Sequence, residues 1–153
     1  MNRLAGCLYS ITITLWVGGL FAIGFLVAPV LFAQLPDHAL AGNLARTLFT
    51  LMALVGFVCG GYLILFLFMR HGLRAFKSGV FLIVLLMLVL NAAGHFGIQP
   101  IIAQLKADAL PRQVMESALR DRFAAWHGIS SGLYLIQSLL GLWLVVWQER
   151  GKN

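Results

Sequence analysis

Four long apolar runs divide the chain, at residues 8–32, 48–69, 79–99 and 123–147, and the stretches between them are polar or basic. A helix needs about 20 apolar residues to cross roughly 30 Å of hydrocarbon at 1.5 Å per residue, and each run is long enough. At that depth no water is present to satisfy the backbone, so such runs fold as helices. The pattern predicts an all-α integral membrane protein: one transmembrane domain, built as a four-helix bundle, with short interfacial helices in the two outer loops.

In span one, Ser10, Thr12 and Thr14 carry hydroxyls that bond back to helix carbonyls. Gly18 and Gly19 offer a close packing surface, and Pro29 re-aims the last turn. Gln34-Leu35-Pro36-Asp37 reads as a turn with Asp37 as the N-cap of the next helix. The helical pattern from His38 to Arg70 would be roughly 50 Å long, too long for one upright span. It is therefore expected to divide into a surface helix over 37–47, with Leu40, Leu44 and Leu48 on one side, and a span over 48–69. Gly56-x-x-x-Gly60 is a small-x-x-x-small packing motif within that span. Span three is expected to stop before Pro100. Pro111, Val114, Met115, Ala118 and Leu119, with Glu116 and Arg120 four apart, suggest a second surface helix. No internal repeat is evident.

The polar residues inside the runs are few and regularly placed. Asn91, His95 and Gln99 recur every fourth residue near the end of span three, with the small residues Ala92, Ala93, Gly94 and Gly97 between and beside them. Span four has a stripe of its own, His127, Ser130, Ser131, Tyr134 and Gln137, at helical spacing. Polar groups in hydrocarbon are costly and face other helices or a wet cavity, so the two stripes are expected to meet as a seam. Within it His95 and His127 are the candidate ligands of a metal or cofactor, copper or haem b, both of which accept neutral imidazole. A buried imidazole can equally bond an Asn or Ser across a helix interface, adding on the order of 1 kcal/mol. No acidic residue lies in any span, so no carboxylate is at hand to orient a histidine base, and hydrolase chemistry is not expected. The scattered methionines read as packing residues, and Arg46 and Arg122 as interfacial anchors.

Composition agrees with the pattern: 61% of residues are hydrophobic and 10% charged, and the mean hydropathy is +0.92. A net charge of +6 would suggest nucleic acid in a soluble domain. Here it marks basic residues at membrane ends, and no nucleic-acid partner is expected. Cys7 and Cys59 would lie at different depths, which argues against a disulfide. Leu4-Ala5-Gly6-Cys7 matches a lipoprotein cleavage box in letters but has no apolar stretch before it. The loop from Arg70 to Lys77 carries Arg70, Arg74 and Lys77 and no acid, which places it, and both termini, in the cytoplasm. Trp143 and Trp147 then fall at the inner interface and Trp126 at the outer one. The expected location is a bacterial inner membrane, and the lipid bilayer is the first partner. A second copy of the chain, or another membrane protein, is left open.

Several stretches resemble a known family. Trp16-Val17-Gly18-Gly19, Ala28-Pro29-Val30-Leu31-Phe32, Leu40-Ala41-Gly42 and Arg122-Phe123-Ala124-Ala125-Trp126-His127-Gly128-Ile129-Ser130 are similar to the transmembrane-protein-205-like family. In bacteria that family is catalogued as domain of unknown function 4149. The resemblance implies a four-span membrane protein and supplies no reaction. More distantly, Trp16–Phe21 resembles the opening of the copper-resistance-D-like group, which includes copper-uptake proteins and a haem-binding protoporphyrinogen oxidase. Those oxidases carry a histidine early in the first span, and residues 7–32 here contain none. Three functions follow as expectations: binding or transport of a small ligand or metal through the seam, a haem redox protein, or a structural subunit of a membrane complex.

Overall fold

The structure, a computed structural model, describes residues 3–109, 115 and 118–150. Four helical rods are long and apolar enough to cross a membrane, and no strand occurs among the described residues. Span one comprises α1 (Arg3–Phe21), a π-helical turn (Ala22–Val27) and α2 (Ala28–Gln34). Span two is α3 (His38–His71), closed by a 3-10 turn (Gly72–Lys77). Span three comprises α4 (Gly79–Ala92), a second π-helical turn (Ala93–Ile98) and α5 (Gln99–Asp108), and span four is α6 (Arg120–Arg150). The all-α, four-helix membrane fold read from the sequence is the fold observed.

Consecutive rods pack on one another and α6 returns to α1, giving a closed ring of four. The core lies nearer the end that carries the chain termini. There Ile13, Trp16, Leu63, Val84, Met87 and Leu144 are buried together. The outer surface is studded with exposed Leu8, Ile11, Val58, Leu65, Leu139 and Val146, as expected of rods whose solvent on that side is lipid. Cys7 is exposed and Cys59 buried, and both are free thiols.

The glycines show where backbones approach. A Cβ added at Gly60 would stand 2.5 Å from Leu88 Cδ2 and 3.0 Å from Trp16 Cη2. One at Gly56 would stand 2.9 Å from Trp16 Nε1 and 3.0 Å from Asn91 Nδ2. At Gly19 it would meet the Met52 sulfur at 2.7 Å, whereas beside Gly18 there is open space. Span two therefore meets spans one and three along the face of Gly56 and Gly60, and Gly18 makes no such contact.

Two expectations about helix ends are corrected. Span two is not divided near residue 47: α3 is one helix of 34 residues, roughly 50 Å long, longer than the hydrocarbon is thick. Nothing between Thr47 and Leu48 breaks a helix, and buried Ala41 and Ala45 continue its packing face. Asp37 caps it as expected, accepting from the Ala39 and Leu40 amides at 2.8 and 3.2 Å. Gly72, with φ of 53°, ends it in a conformation that costs glycine nothing. Nor does Pro100 end span three, which runs on to Asp108. The second surface helix, around residues 111–119, falls mostly outside the described residues.

Candidate functional site

The end of the bundle away from the termini is held apart by specific side chains. Its floor is Asn91, which is 8% exposed and donates through Nδ2 to the Ala53 carbonyl at 2.9 Å. That bond ties span three to span two, beside the gap that Gly56 leaves. One wall is Tyr134, whose hydroxyl donates to the Leu20 carbonyl at 2.6 Å. The edge of its ring, at Cε1, abuts Gly24, where a Cβ would overlap it, and the ring meets that of Phe49 in a T-shaped contact with centroids 5.0 Å apart.

Between these fixed points lies a cavity of about 560 Å³, within the range of sites that take a small organic molecule. Asn91, His95 and Gln99 line it from span three, and His127, Ser130, Ser131, Tyr134 and Gln137 from span four. The residues of both polar stripes thus border one space. Spans one and two supply the rest, largely apolar: Leu20, Phe25, Ala28, Phe32, Ala45, Phe49, Met52 and Ala53. Arg46 and Lys106 also line it, and among the described residues no acidic one does. His38 stacks on Phe32 at 6.4 Å and lies outside the cavity wall.

Several of these polar atoms are already satisfied. The Ser131 hydroxyl donates to the His127 carbonyl at 2.9 Å, and Ser138, one turn deeper, donates to the Tyr134 carbonyl at 2.9 Å. Two are not. Gln137 is 5% exposed, and its Nε2 has no hydrogen-bond partner; neither has His95 Nδ1. An unpaired polar group in such a place costs about 1–3 kcal/mol. The His95 ring is wedged edge-on between Phe57 and Phe96, with centroids at 6.1 and 4.7 Å. The His127 ring stacks on Phe123 at 5.8 Å.

Two matching features of the backbone shape the cavity and were missed in the sequence. The π-helical turns of spans one and three both border it, through Gly24 and Phe25 in one and Gly94 and His95 in the other. Each turn is followed by a residue and then a proline, Pro29 or Pro100. A proline within a helix lacks its N–H and clashes with the carbonyl four residues back, here Phe25 or Phe96. A π turn widens the backbone at that place and lets the helix continue. The signal was present: Ala22–Pro29 and Ala93–Pro100 both read Ala-x-x-Phe-x-x-x-Pro, a short internal repeat in alternate spans. Paired interruptions of this kind in corresponding spans point to binding sites in membrane proteins.

As a metal site the donors are sparse. Among the described residues no group of three or more His, Cys, Asp and Glu comes together. Cys59 is in the core, so a metal in the cavity would rest on His95, His127 and the Met52 thioether. Structural zinc sites use four protein ligands and catalytic ones three.

A family model with the description Domain of unknown function (DUF4149) matches residues 11–111. The match takes in both π turns and the Asn91–Gln99 stripe and stops short of span four. No curated protein and no solved structure matches the chain.

Proposed function

This chain belongs to the DUF4149 family, and we propose that it is a multi-pass protein of a bacterial inner membrane that binds or passes a small ligand through the cavity. In this reading both termini lie in the cytoplasm, because the Arg70–Lys77 loop is basic and free of acid. The cavity then opens on the outer face. Reporter tags at either terminus or within that loop should report cytoplasmic, and a tag near Asp108 periplasmic; a periplasmic Arg70–Lys77 loop overturns the orientation.

The observation that carries the reading is the orphaned amide of Gln137. Buried side-chain donors are nearly always paired, and an exception calls for a reason. Here the amide sits on a cavity wall opposite other polar groups, where a ligand oxygen would complete it. Native mass spectrometry of the gently solubilised protein should show a small-molecule adduct. In Gln137→Leu the adduct should be lost while thermal stability holds or rises, since the orphan has gone. An adduct retained by Gln137→Leu, or absent from the wild type, contradicts the reading.

A second reading is favoured by the two imidazoles that border the same cavity from spans three and four, and it accords with the distant resemblance to the copper-resistance-D-like group. Haem b or copper would be held by His95 and His127. A Soret band or stoichiometric copper, lost in both His95→Ala and His127→Ala, selects it; either signal surviving both substitutions excludes those ligands.

A further inference from the structure

Arg46 on α3 and Lys106 on α5 line the same cavity at its outer end, and neither forms an ion pair with a described residue. Lys106 Nζ instead lies 5.9 Å above the centre of the Phe123 ring, and a Cβ at Gly42 would stand 3.2 Å from it. Two cations thus border one space with no carboxylate of a described residue between them, an arrangement whose mutual repulsion an anion relieves. Below them the walls turn apolar. Phe25 on span one and Leu135 on span four line the cavity and keep 45% and 49% of their surface exposed, beside the Tyr134–Leu20 bond that ties these two spans. In that sector α1 packs against α6, while α2, nearer the mouth, packs against α3.

Resting on the reading of the cavity as a ligand site, we infer that its ligand is an amphipathic anion. A carboxylate or phosphate head lies at Arg46 and Lys106, and an apolar chain lies along the apolar walls below them. Charge-assisted hydrogen bonds to guanidinium and ammonium hold the head. The chain buries its methylene groups against Phe25, Leu20 and Met52, while the Gln137 amide at the inner end takes any oxygen the chain carries. A bilayer lipid and a free fatty acid share this chemistry.

The test uses the full chain in phosphatidylcholine nanodiscs, titrated with dibrominated stearate and with its uncharged methyl ester. Binding is read by quenching of tryptophan fluorescence, since Trp16 lies beside the cavity floor at Gly56. Stearate should bind about tenfold more tightly than the ester, as expected of charged hydrogen bonds. The preference should vanish in Arg46→Gln/Lys106→Gln and persist in Arg46→Lys. Ser130→Phe, which fills the mouth without adding an indole, should weaken both compounds. Competition by phosphatidylglycerol in the disc assigns a lipid as the natural source, and indifference to it assigns a free acid. Equal binding of acid and ester, both blocked by Ser130→Phe, overturns the anionic head and leaves the cavity reading intact. Binding of both that Ser130→Phe does not alter overturns the two together. Acetate competing as well as stearate overturns the apolar chain.

Discussion

Gly60 on span two faces Leu88 of span three and Trp16 of span one, and replacing it by alanine sets two effects of opposite sign against each other. Gly→Ala within a helix lowers backbone entropy loss and stabilises by up to about 1 kcal/mol. Against that, the new methyl would stand 2.5 Å from Leu88 Cδ2, 2.7 Å from Leu88 Cγ and 3.0 Å from Trp16 Cη2. Leu88 can turn only so far, because Trp16 beyond it is 0% exposed and held by the core. Overpacking of this kind costs about 1–3 kcal/mol. With a gain of about 0.5–1 kcal/mol against that cost, the net change runs from about zero to a loss of about 2.5 kcal/mol. Gly18→Ala makes the same chemical change where nothing lies within 4 Å, so it isolates the first effect. Unfolding of both variants in mixed micelles, followed by circular dichroism, should place Gly60→Ala below Gly18→Ala by about 1–3 kcal/mol. Equal stabilities would mean that α3 and α4 are farther apart than described, and the packing of the cavity floor next to them would fall with that.

Two further substitutions probe the half of the bundle away from the termini. Asp37→Ala removes a cap that accepts two amides, so unfolding free energy should drop by about 1 kcal/mol, while Asp37→Asn should lose little; equal losses would deny the capping role. Tyr134→Phe deletes the 2.6 Å bond to the Leu20 carbonyl and should cost about 0.5–1.5 kcal/mol in the same assay, with an unchanged stability excluding that bond as the tie between spans one and four.

The rods themselves were legible because hydropathy and length decide them, and the polar stripes because periodic polarity inside hydrocarbon is rare. Asn91, His95 and Gln99 stand on the cavity wall even though a π turn intervenes between the first and last of them. What escaped is tertiary. Pro100 reads as a helix end when only its lost hydrogen bond is weighed, because the widened turn that accommodates it is a property of the backbone and not of any one residue. The same reasoning obscured the repeat of Ala22–Pro29 in Ala93–Pro100, which is visible only when the two prolines are compared. Arg46 and Lys106 are ordinary interfacial cations in sequence; they belong together only because α3 starts ten residues before its apolar run and α5 follows Pro100. The length of α3 was misjudged for a related reason. A hydrocarbon thickness limits the apolar run, not the helix that carries it.

Whether the distal end of the bundle is an open cavity can be asked of Ser130, which lines it and is partly buried on span four. In a Cys7→Ser background, where only the buried Cys59 remains, Ser130→Cys is exposed in intact cells to a charged, membrane-impermeant methanethiosulfonate. Leu139→Cys, 56% exposed and absent from the cavity lining, serves as the lipid-facing control. An open cavity facing outward predicts rapid modification of Ser130→Cys, slow modification of Leu139→Cys, and protection of the former when stearate is present. Ser130→Cys that reacts no faster than Leu139→Cys would mean that the four rods close on themselves there and that no ligand enters.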